Sequence, residues 1–146
     1  MNRAEVAVAE ARLWIGTPYV HQAATLGAGT DCLGLLRGVW RALYGAEPET
    51  IPAYTQDWSE TSNNEELWQA ARRWLVEVPR REVEVGDVLL FRMRAGSVAK
   101  HLGIVSAAGP EASFIHAYTG HGVTQSPLSA PWLRRVAAIF EFPTGV

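Results

Sequence analysis

The residues of this chain whose types and spacing point most directly to nucleophilic chemistry are one cysteine and four histidines. Cys32 follows a run of small and turn-forming residues at positions 27–31 and precedes an apolar stripe with helical spacing. Thr30 or Asp31 can cap the free amides of such a helix, so the pattern predicts that Cys32 lies in its first turn. The positive end of the helix dipole favours a thiolate there, and the thiolate is the nucleophilic form of cysteine.

A nucleophilic cysteine needs a base, and the base needs a polar group that orients it. His101 begins a predicted strand, and the small Gly103 is expected to leave that face of the strand open towards the thiol. His116 lies on the next predicted strand, within reach of a ring nitrogen of His101. Each residue alone also fits a structural role, because a buried cysteine behaves as a small hydrophobe. The conjunction of Cys32, His101 and His116 favours a catalytic site.

The other candidate residues have weaker patterns. His21 and His121 lie in predicted loops, where a surface role and a substrate-facing role both remain open. Trp58 lies in a long segment without periodicity and is a candidate for contact with a ligand or partner, or for a plug over the core. A metal site built from His101, His116, His121 and a carboxylate lacks the spacing of a zinc motif. We therefore expect neither a metal nor a cofactor.

Composition limits the class of protein. The chain has 146 residues, 48% of them apolar, which is enough for one domain over residues 1–146 with a buried core. Its formal net charge is −2 and no basic block occurs, so nothing favours nucleic acid as a ligand. Charges interrupt residues 1–15, and no apolar run has membrane-spanning length. We expect synthesis in the cytoplasm without a signal peptide and no membrane insertion.

Two periodicities organise the elements that must position these residues. Helical spacing predicts helices from about Arg3 to Ile15 and from Asp31 to about Tyr44, and a third that follows a capping box at residues 62–65 and ends at Pro79. A long loop over residues 45–64 separates the second helix from the third. From Glu82 onwards the spacing changes to period two. The predicted strands cover residues 83–91 with a turn at 86–87, 99–107, 113–118, 123–126 and 136–142.

This order predicts an α+β fold, in which N-terminal helices, one carrying the cysteine, pack on a C-terminal antiparallel sheet of about five strands.

Five blocks of the chain have the residues and the order of a known set of motifs. They are Gly16-Thr17-Pro18-Tyr19, Asp31-Cys32-Leu33-Gly34-Leu35, Val85-Gly86-Asp87-Val88-Leu89-Leu90-Phe91, Lys100-His101-Leu102-Gly103-Ile104-Val105 and Ile115-His116-Ala117. These blocks resemble the motifs of the NlpC family, papain-like cysteine peptidases of bacterial cell walls. The resemblance implies that Cys32 is the nucleophile, His101 the general base and acid, and His116 its orienting residue. It also implies that Tyr19 helps to hold the oxyanion together with the amide of Cys32.

The resemblance further implies a reaction, the hydrolysis of an amide bond in peptidoglycan stem peptides. The bond between D-glutamate and diaminopimelate is the common target in this family. Two alternatives keep the fold but change the reaction, namely an amidase that cuts the sugar-peptide link and an acyltransferase. A third belongs to another class, a catalytically silent tail structural or wall-binding module.

Two departures from the family pattern refine the resemblance. Residues 20–24 read Val-His-Gln-Ala-Ala where most cell-wall members have a tryptophan and paired glycines, and the insert from Pro48 to Trp74 is longer than in minimal members. Both features, together with the stretches at residues 31–40 and 54–58, resemble the subgroup encoded among phage tail genes and in gene transfer agents. The resemblance implies a location at the tail tip and a tail hub or fibre protein as partner.

Overall fold

The computed structural model describes residues 2–48 and 65–144 of the chain. In these two ranges helices precede most of the strands, as the change of periodicity predicts. The elements are α1 (Arg3–Leu13), β1 (Ala24–Thr25), β2 (Gly29–Thr30), α2 (Cys32–Tyr44), α3 (Glu66–Trp74), β3 (Val76–Val78), β4 (Val88–Phe91), β5 (His101–Ala107), β6 (Ser113–Tyr118), β7 (Gly122–Pro127), α4 (Ala130–Arg135) and β8 (Val136–Glu141).

The main sheet of the described residues has six strands in the order β3-β8-β4-β5-β6-β7. Its neighbouring strands all run antiparallel. Strands β1 and β2 form a separate antiparallel pair. Helices packed on an antiparallel sheet confirm the predicted α+β class, and the sheet has one strand more than the five expected.

The two faces of the sheet bury different sets of side chains. The helix face, with Leu90, Leu102, Ile104 and Ile115, packs against α1 and α2 in one core. The aromatic face, with Phe91, Val105, Phe114 and Val136, forms a second core against which Trp132 of α4 packs. Since successive side chains of a strand point to opposite faces, each central strand contributes to both cores. These strands are therefore continuous apolar runs.

The strand predicted over residues 83–91 is shorter than expected. Only Val88–Phe91 is a strand, because the Asp87 carboxylate accepts a hydrogen bond from the Glu84 amide at 2.7 Å and holds a turn before it. Gly86 completes this turn with a φ of +89°. Local side-chain bonding thus overrides the alternating valines.

The third helix ends earlier than predicted, at Trp74 and not at Pro79. The chain then forms β3, which pairs with β8. Residues 62–64 of the predicted capping box lie outside the described residues, as does most of the predicted long loop. Glu65 makes no capping hydrogen bond to α3. Its carboxylate instead accepts from the Ala99 amide at 2.8 Å and from Arg92 at 2.7 Å, which ties α3 to the segment before β5.

Three further elements were not predicted, namely the β1–β2 pair, β3 and the short helix α4. Each has six residues or fewer, too few to show a period in sequence. In the part of the chain that the structure describes, no helix has the length and apolarity needed to span a membrane.

Candidate active site

The cysteine lies where the predicted cap places it, as the first residue of α2. Asp31 is the N-cap, and its carboxylate accepts hydrogen bonds from the amides of Gly34 and Gln22, each at 2.8 Å. Only 2% of Asp31 is exposed. The buried carboxylate therefore joins the start of α2 to the loop that precedes β1.

Two glycines allow α2 to approach its neighbours closely. A Cβ at Gly34 would clash with the Ala23 carbonyl oxygen, and one at Gly38 would clash with the indole of Trp14. The Ala23 carbonyl also accepts a hydrogen bond from the Asp31 amide at 3.3 Å. The first turn of α2 thus packs directly on the backbone of Ala23, and this contact fixes the position of Cys32.

The Cys32 thiol is buried and protonated. Its Sγ donates to the Lys100 carbonyl oxygen at 3.8 Å. Burial raises the pKa of Cys32 to about 12, and the negative charge of Asp31 acts in the same direction. Backbone amides that face the sulfur, including that of Leu102, lower the pKa by less. Desolvation of the charged form thus opposes the thiolate that the helix dipole favours.

The two predicted histidines are hydrogen-bonded to each other. Nε2 of His101 lies 2.8 Å from Nδ1 of His116, and Nε2 of His116 lies 2.9 Å from Oγ of Ser126. Burial lowers the pKa of His101 to about 3 and that of His116 to about 4. Both rings are consequently neutral at physiological pH, and each carries one N–H.

The imidazoles lie among aromatic side chains, and the open strand face that was expected beside Gly103 is filled. Gly103 does not leave an open face, because a Cβ there would meet Phe114 at 2.7 Å and Phe91 at 3.4 Å. The ring of His116 packs on Phe114 with centroids 4.3 Å apart. Trp132 contacts both imidazoles edge-on or tilted, at 5.8 Å from His101 and 5.2 Å from His116. The absence of a side chain at Gly103 thus leaves room for Phe114 and Phe91.

The thiol lies against the backbone at the start of β5, the strand that carries His101. Sγ contacts the carbonyl of Lys100, the residue immediately before His101, and the amide of Leu102, the residue immediately after it. Among the described residues, no hydrogen bond joins Sγ to the His101 ring. Because His116 occupies Nε2, Nδ1 is the nitrogen of His101 that remains for the nucleophile.

Tyr19 lies near Cys32. It pairs in parallel with Thr30, two residues before Cys32. Burial raises the pKa of the Tyr19 hydroxyl, a hydrogen bond with the Thr119 side chain lowers it, and the charge of an ionised Cys32 would raise it. The hydroxyl is thus close enough to the sulfur to respond to its charge.

The remaining predicted residues have different positions. Nδ1 of the half-buried His21 lies 3.8 Å from the Asp31 carboxylate, which places it next to the cap of α2. His121 is exposed and stacks on Tyr118 with an interplanar angle of 11°. Trp58 lies outside the described residues. In the described ranges, no three His, Cys, Asp or Glu side chains gather as a metal site.

Sequence reasoning missed three groups of this site, namely Ser126, Trp132 and the Lys100 carbonyl. The signal for Ser126 was available, since a hairpin around Gly120 pairs His116 with Thr124 and leaves Ser126 diagonally opposite on the same face. No pattern indicated Trp132, which lies in a connection between two prolines and the last strand.

A cysteine at the start of a central helix, packed on an antiparallel sheet that carries a bonded imidazole pair, defines the papain-like class of fold. The chain belongs to the NlpC/P60 family, whose family model matches residues 16–140. The match contains Cys32, His101 and His116.

Two curated relatives come from well-separated bacteria. The murein DD-endopeptidase MepS/murein LD-carboxypeptidase of Escherichia coli (strain K12) is 29% identical over 107 residues, which are 73% of this chain and 46% of that protein. The gamma-DL-glutamyl hydrolase of Bacillus subtilis (strain 168) is 30% identical over 138 residues, 92% of this chain and 28% of that protein. The chain thus spans less than half the length of these relatives.

Solved structures show the same fold. The NlpC/p60 domain of peptidoglycan hydrolase SagA has a TM-score of 0.64 and 24% identity, over 97% of this chain and 100% of that one. An NlpC/P60 family protein from Bacillus cereus ATCC 10987 also has a TM-score of 0.64, with 18% identity over 95% of this chain and 40% of that one.

Proposed function

We propose that this chain is a cysteine peptidase domain that hydrolyses amide bonds in peptidoglycan stem peptides. The observation that carries the proposal is the arrangement around β5, where the capped Cys32 touches the backbone on both sides of His101 and His101 bonds to His116. Family membership and the names of the relatives, a murein endopeptidase and a gamma-DL-glutamyl hydrolase, support the substrate class. We treat residues 1–146 as one such domain.

In the proposed reaction, Sγ of Cys32 attacks the carbonyl carbon of the scissile amide while its proton passes to Nδ1 of His101. The amide of Cys32 and the hydroxyl of Tyr19 stabilise the oxyanion. Collapse of the tetrahedral intermediate breaks the C–N bond, and the leaving amine takes the proton from Nδ1. Water then attacks the thioester with His101 as base, which releases the acid and restores the thiol.

The protonation states of the resting site select a general-base route. With a thiol pKa of about 12 and a His101 pKa of about 3, the neutral pair is the stable form at pH 7. The thiol must therefore exchange its Lys100 carbonyl acceptor for His101 Nδ1 as the substrate binds. Proton transfer and attack then occur together, without a preformed ion pair.

For the scissile bond, we propose the link between D-glutamate and diaminopimelate. The family resemblance motivates this choice, and the gamma-DL-glutamyl hydrolase is a relative whose name specifies a glutamyl bond. His21, next to the Asp31 cap, and Trp58 are the residues that we propose for contact with substrate or partner. No cofactor takes part in the proposed steps.

We further propose that the domain acts at the tail tip of a phage or gene transfer agent, bound to a hub or fibre protein. The residues that motivate this proposal are the Val-His-Gln-Ala-Ala loop, in which Gln22 has a φ of +65°, and the insert that begins at Pro48. Mass spectrometry of purified particles tests this location. Particles that lack the chain would contradict it.

Digestion of purified peptidoglycan tests the reaction with the wild type, Cys32→Ala, His101→Ala and the control Ser113→Ala. The Ser113 hydroxyl is hydrogen-bonded to the Ser106 hydroxyl at 2.7 Å, whereas the imidazoles are hydrogen-bonded to each other and to Ser126. We expect new free amines on diaminopimelate with the wild type and the control only. Equal digestion by all four would refute the assignment of Cys32 and His101.

The products also separate the alternatives. Release of whole stem peptides from the sugar would indicate an amidase, and transfer to an added amine would indicate an acyltransferase. Wall binding by the wild type without any product would indicate a silent binding module.

A further inference from the structure

The hydrogen-bond chain that begins at His101 does not end at His116. It continues to Ser126, whose Oγ lies 2.9 Å from Nε2 of His116. Ser126 lies on β7, the edge strand of the sheet, where Thr124 pairs directly with His116. As the diagonal neighbour on the same face, Ser126 reaches the far side of the buried ring.

The positions of two protons decide whether His101 can act as a base. A neutral imidazole has one N–H and one acceptor nitrogen. For Nδ1 of His101 to accept the thiol proton, the N–H of His101 must be at Nε2 and must donate to Nδ1 of His116. The N–H of His116 is then at Nε2, where it donates to Oγ of Ser126.

The opposite arrangement disables the base. If the Ser126 hydroxyl donated to Nε2 of His116, the N–H of His116 would move to Nδ1 and donate to His101. The proton of His101 would then be at Nδ1, the nitrogen that must receive the proton of Cys32. The direction of the hydrogen bond between Ser126 and His116 is thus coupled to which nitrogen of His101 is basic.

We propose that Ser126 is a positioning residue, which accepts a hydrogen bond from Nε2–H of His116 and thereby selects the tautomer of His101 that accepts a proton at Nδ1. This inference rests on the proposed peptidase function. Ser126 acts through two imidazoles and does not touch the reacting atoms.

Packing contacts hold the His116 ring in place, so the property that Ser126 controls is the tautomer of that ring. Phe114 and Tyr118 lie against the His116 ring with centroids 4.3 Å and 5.4 Å away, and Trp132 lies against it edge-on at 5.2 Å. His116 is only 1% exposed. These contacts hold the plane of the ring without any bond from Ser126, whereas they have no preference for either tautomer.

The experiment compares Ser126→Ala, Ser126→Thr and Ser113→Ala in two measurements. The first is kcat and KM on a soluble stem peptide. We expect kcat of Ser126→Ala to fall by about 10-fold to 100-fold, a part of the 10²–10⁴ that a positioned acid or base supplies. We expect KM to stay unchanged. Ser126→Thr, which keeps the hydroxyl, and Ser113→Ala should keep kcat.

The second measurement is ¹⁵N NMR of the imidazoles in the resting protein. We expect the His116 proton at Nε2 in the wild type, Ser126→Thr and Ser113→Ala, and a mixture of tautomers in Ser126→Ala. A His116 proton at Nδ1 in the wild type would overturn the proposal. So would a fall in kcat of Ser126→Ala without a change of tautomer, or a change of tautomer without a fall in kcat.

Failure of the peptidase function gives a different result. If the wild type cleaves no stem peptide, the proposed function fails and the NMR measurement alone decides on Ser126. A proton at Nε2 of His116 that depends on the Ser126 hydroxyl would then still support its positioning role, and a tautomer independent of that hydroxyl would overturn it.

Discussion

The two halves of the candidate site are held by different kinds of interaction. The nucleophile half is held by backbone, because Asp31 bonds to two amides and Gly34 lets α2 rest on the Ala23 carbonyl. The imidazole half is held by side chains, because His101 and His116 bond to each other within an aromatic cluster. The backbone contacts set the position of Cys32, and the side-chain contacts set the protonation state of His101 and His116.

The comparison also shows that burial acts on both halves in the same sense. It disfavours the thiolate of Cys32 and the imidazolium of His101, so each group is held in its neutral form. A preformed ion pair would need the opposite environment. The predictions below test this difference between position and protonation.

The largest expected effect is on the reactivity of the thiol. With a pKa of about 12, Cys32 of the folded protein should react with iodoacetamide at pH 8 on the order of 10³-fold more slowly than in the urea-unfolded chain. Because Cys32 is the only cysteine, the unfolded wild type is its own control. Rapid alkylation of the folded protein at pH 6 would show a preformed ion pair of Cys32 and His101. It would then be wrong to say that one half sets position and the other sets protonation.

The next effect comes from removing the cap. Asp31→Ala leaves the buried amide of Gly34 and the part-buried amide of Gln22 without their acceptor and should lower the free energy of unfolding by about 2 to 4 kcal/mol. Loss of the nearby negative charge should also lower the pKa of Cys32 and increase its alkylation rate at pH 9. Urea unfolding and alkylation measure the two changes.

Asp87→Ala is the matched control for that variant. Asp87 is also a buried aspartate, 3% exposed, that accepts from an amide, that of Glu84, and from Arg81. We expect Asp87→Ala to destabilise the fold and to leave the thiol reactivity at the wild-type value. Equal reactivity of Cys32 in both variants would mean that Asp31 acts only on stability.

The smallest effect is the acid sensitivity of the imidazole half. The pKa values of His101 and His116, about 3 and about 4, lie below the value of about 6.5 in an unfolded chain. Well above pH 6.5 both rings are neutral in the folded and in the unfolded chain, and the stability is complete. Below it the unfolded chain binds protons that the folded protein does not, so stability falls by up to about 1.4 kcal/mol per pH unit for each ring.

Urea unfolding between pH 6.5 and pH 5 measures this slope. His116→Gln removes one of the two titrating rings and should reduce the slope by about half. A stability that stays constant over this range in the wild type would show that the rings are protonated in the folded protein, contrary to their burial.

Much of the nucleophile half was predictable because its determinants are local. The capping residue Asp31, the apolar stripe of α2 and the stop at Gly45 are all within a few residues of the features they specify. Strands β5 and β6 were likewise predictable from alternation, and their adjacency brought His101 and His116 together as expected.

The imidazole half was less predictable because its determinants are distant in sequence. Ser126 reaches His116 through the register of β7, and Trp132 reaches both rings from a helix too short to show a period. Gly103 was expected to open a face and instead accommodates Phe114. A residue's neighbours on the opposite strand are not visible in its own segment.

Short sequence segments were sufficient to predict the fold class, the helix that begins at Cys32 and the contact between His101 and His116, because caps and periodicities are properties of such segments. The charge states of Cys32, His101 and His116 depend instead on burial in the tertiary structure. It buried the thiol next to Asp31 and the imidazoles under Trp132, and the energy of a charge depends on the solvent and dipoles around it in three dimensions.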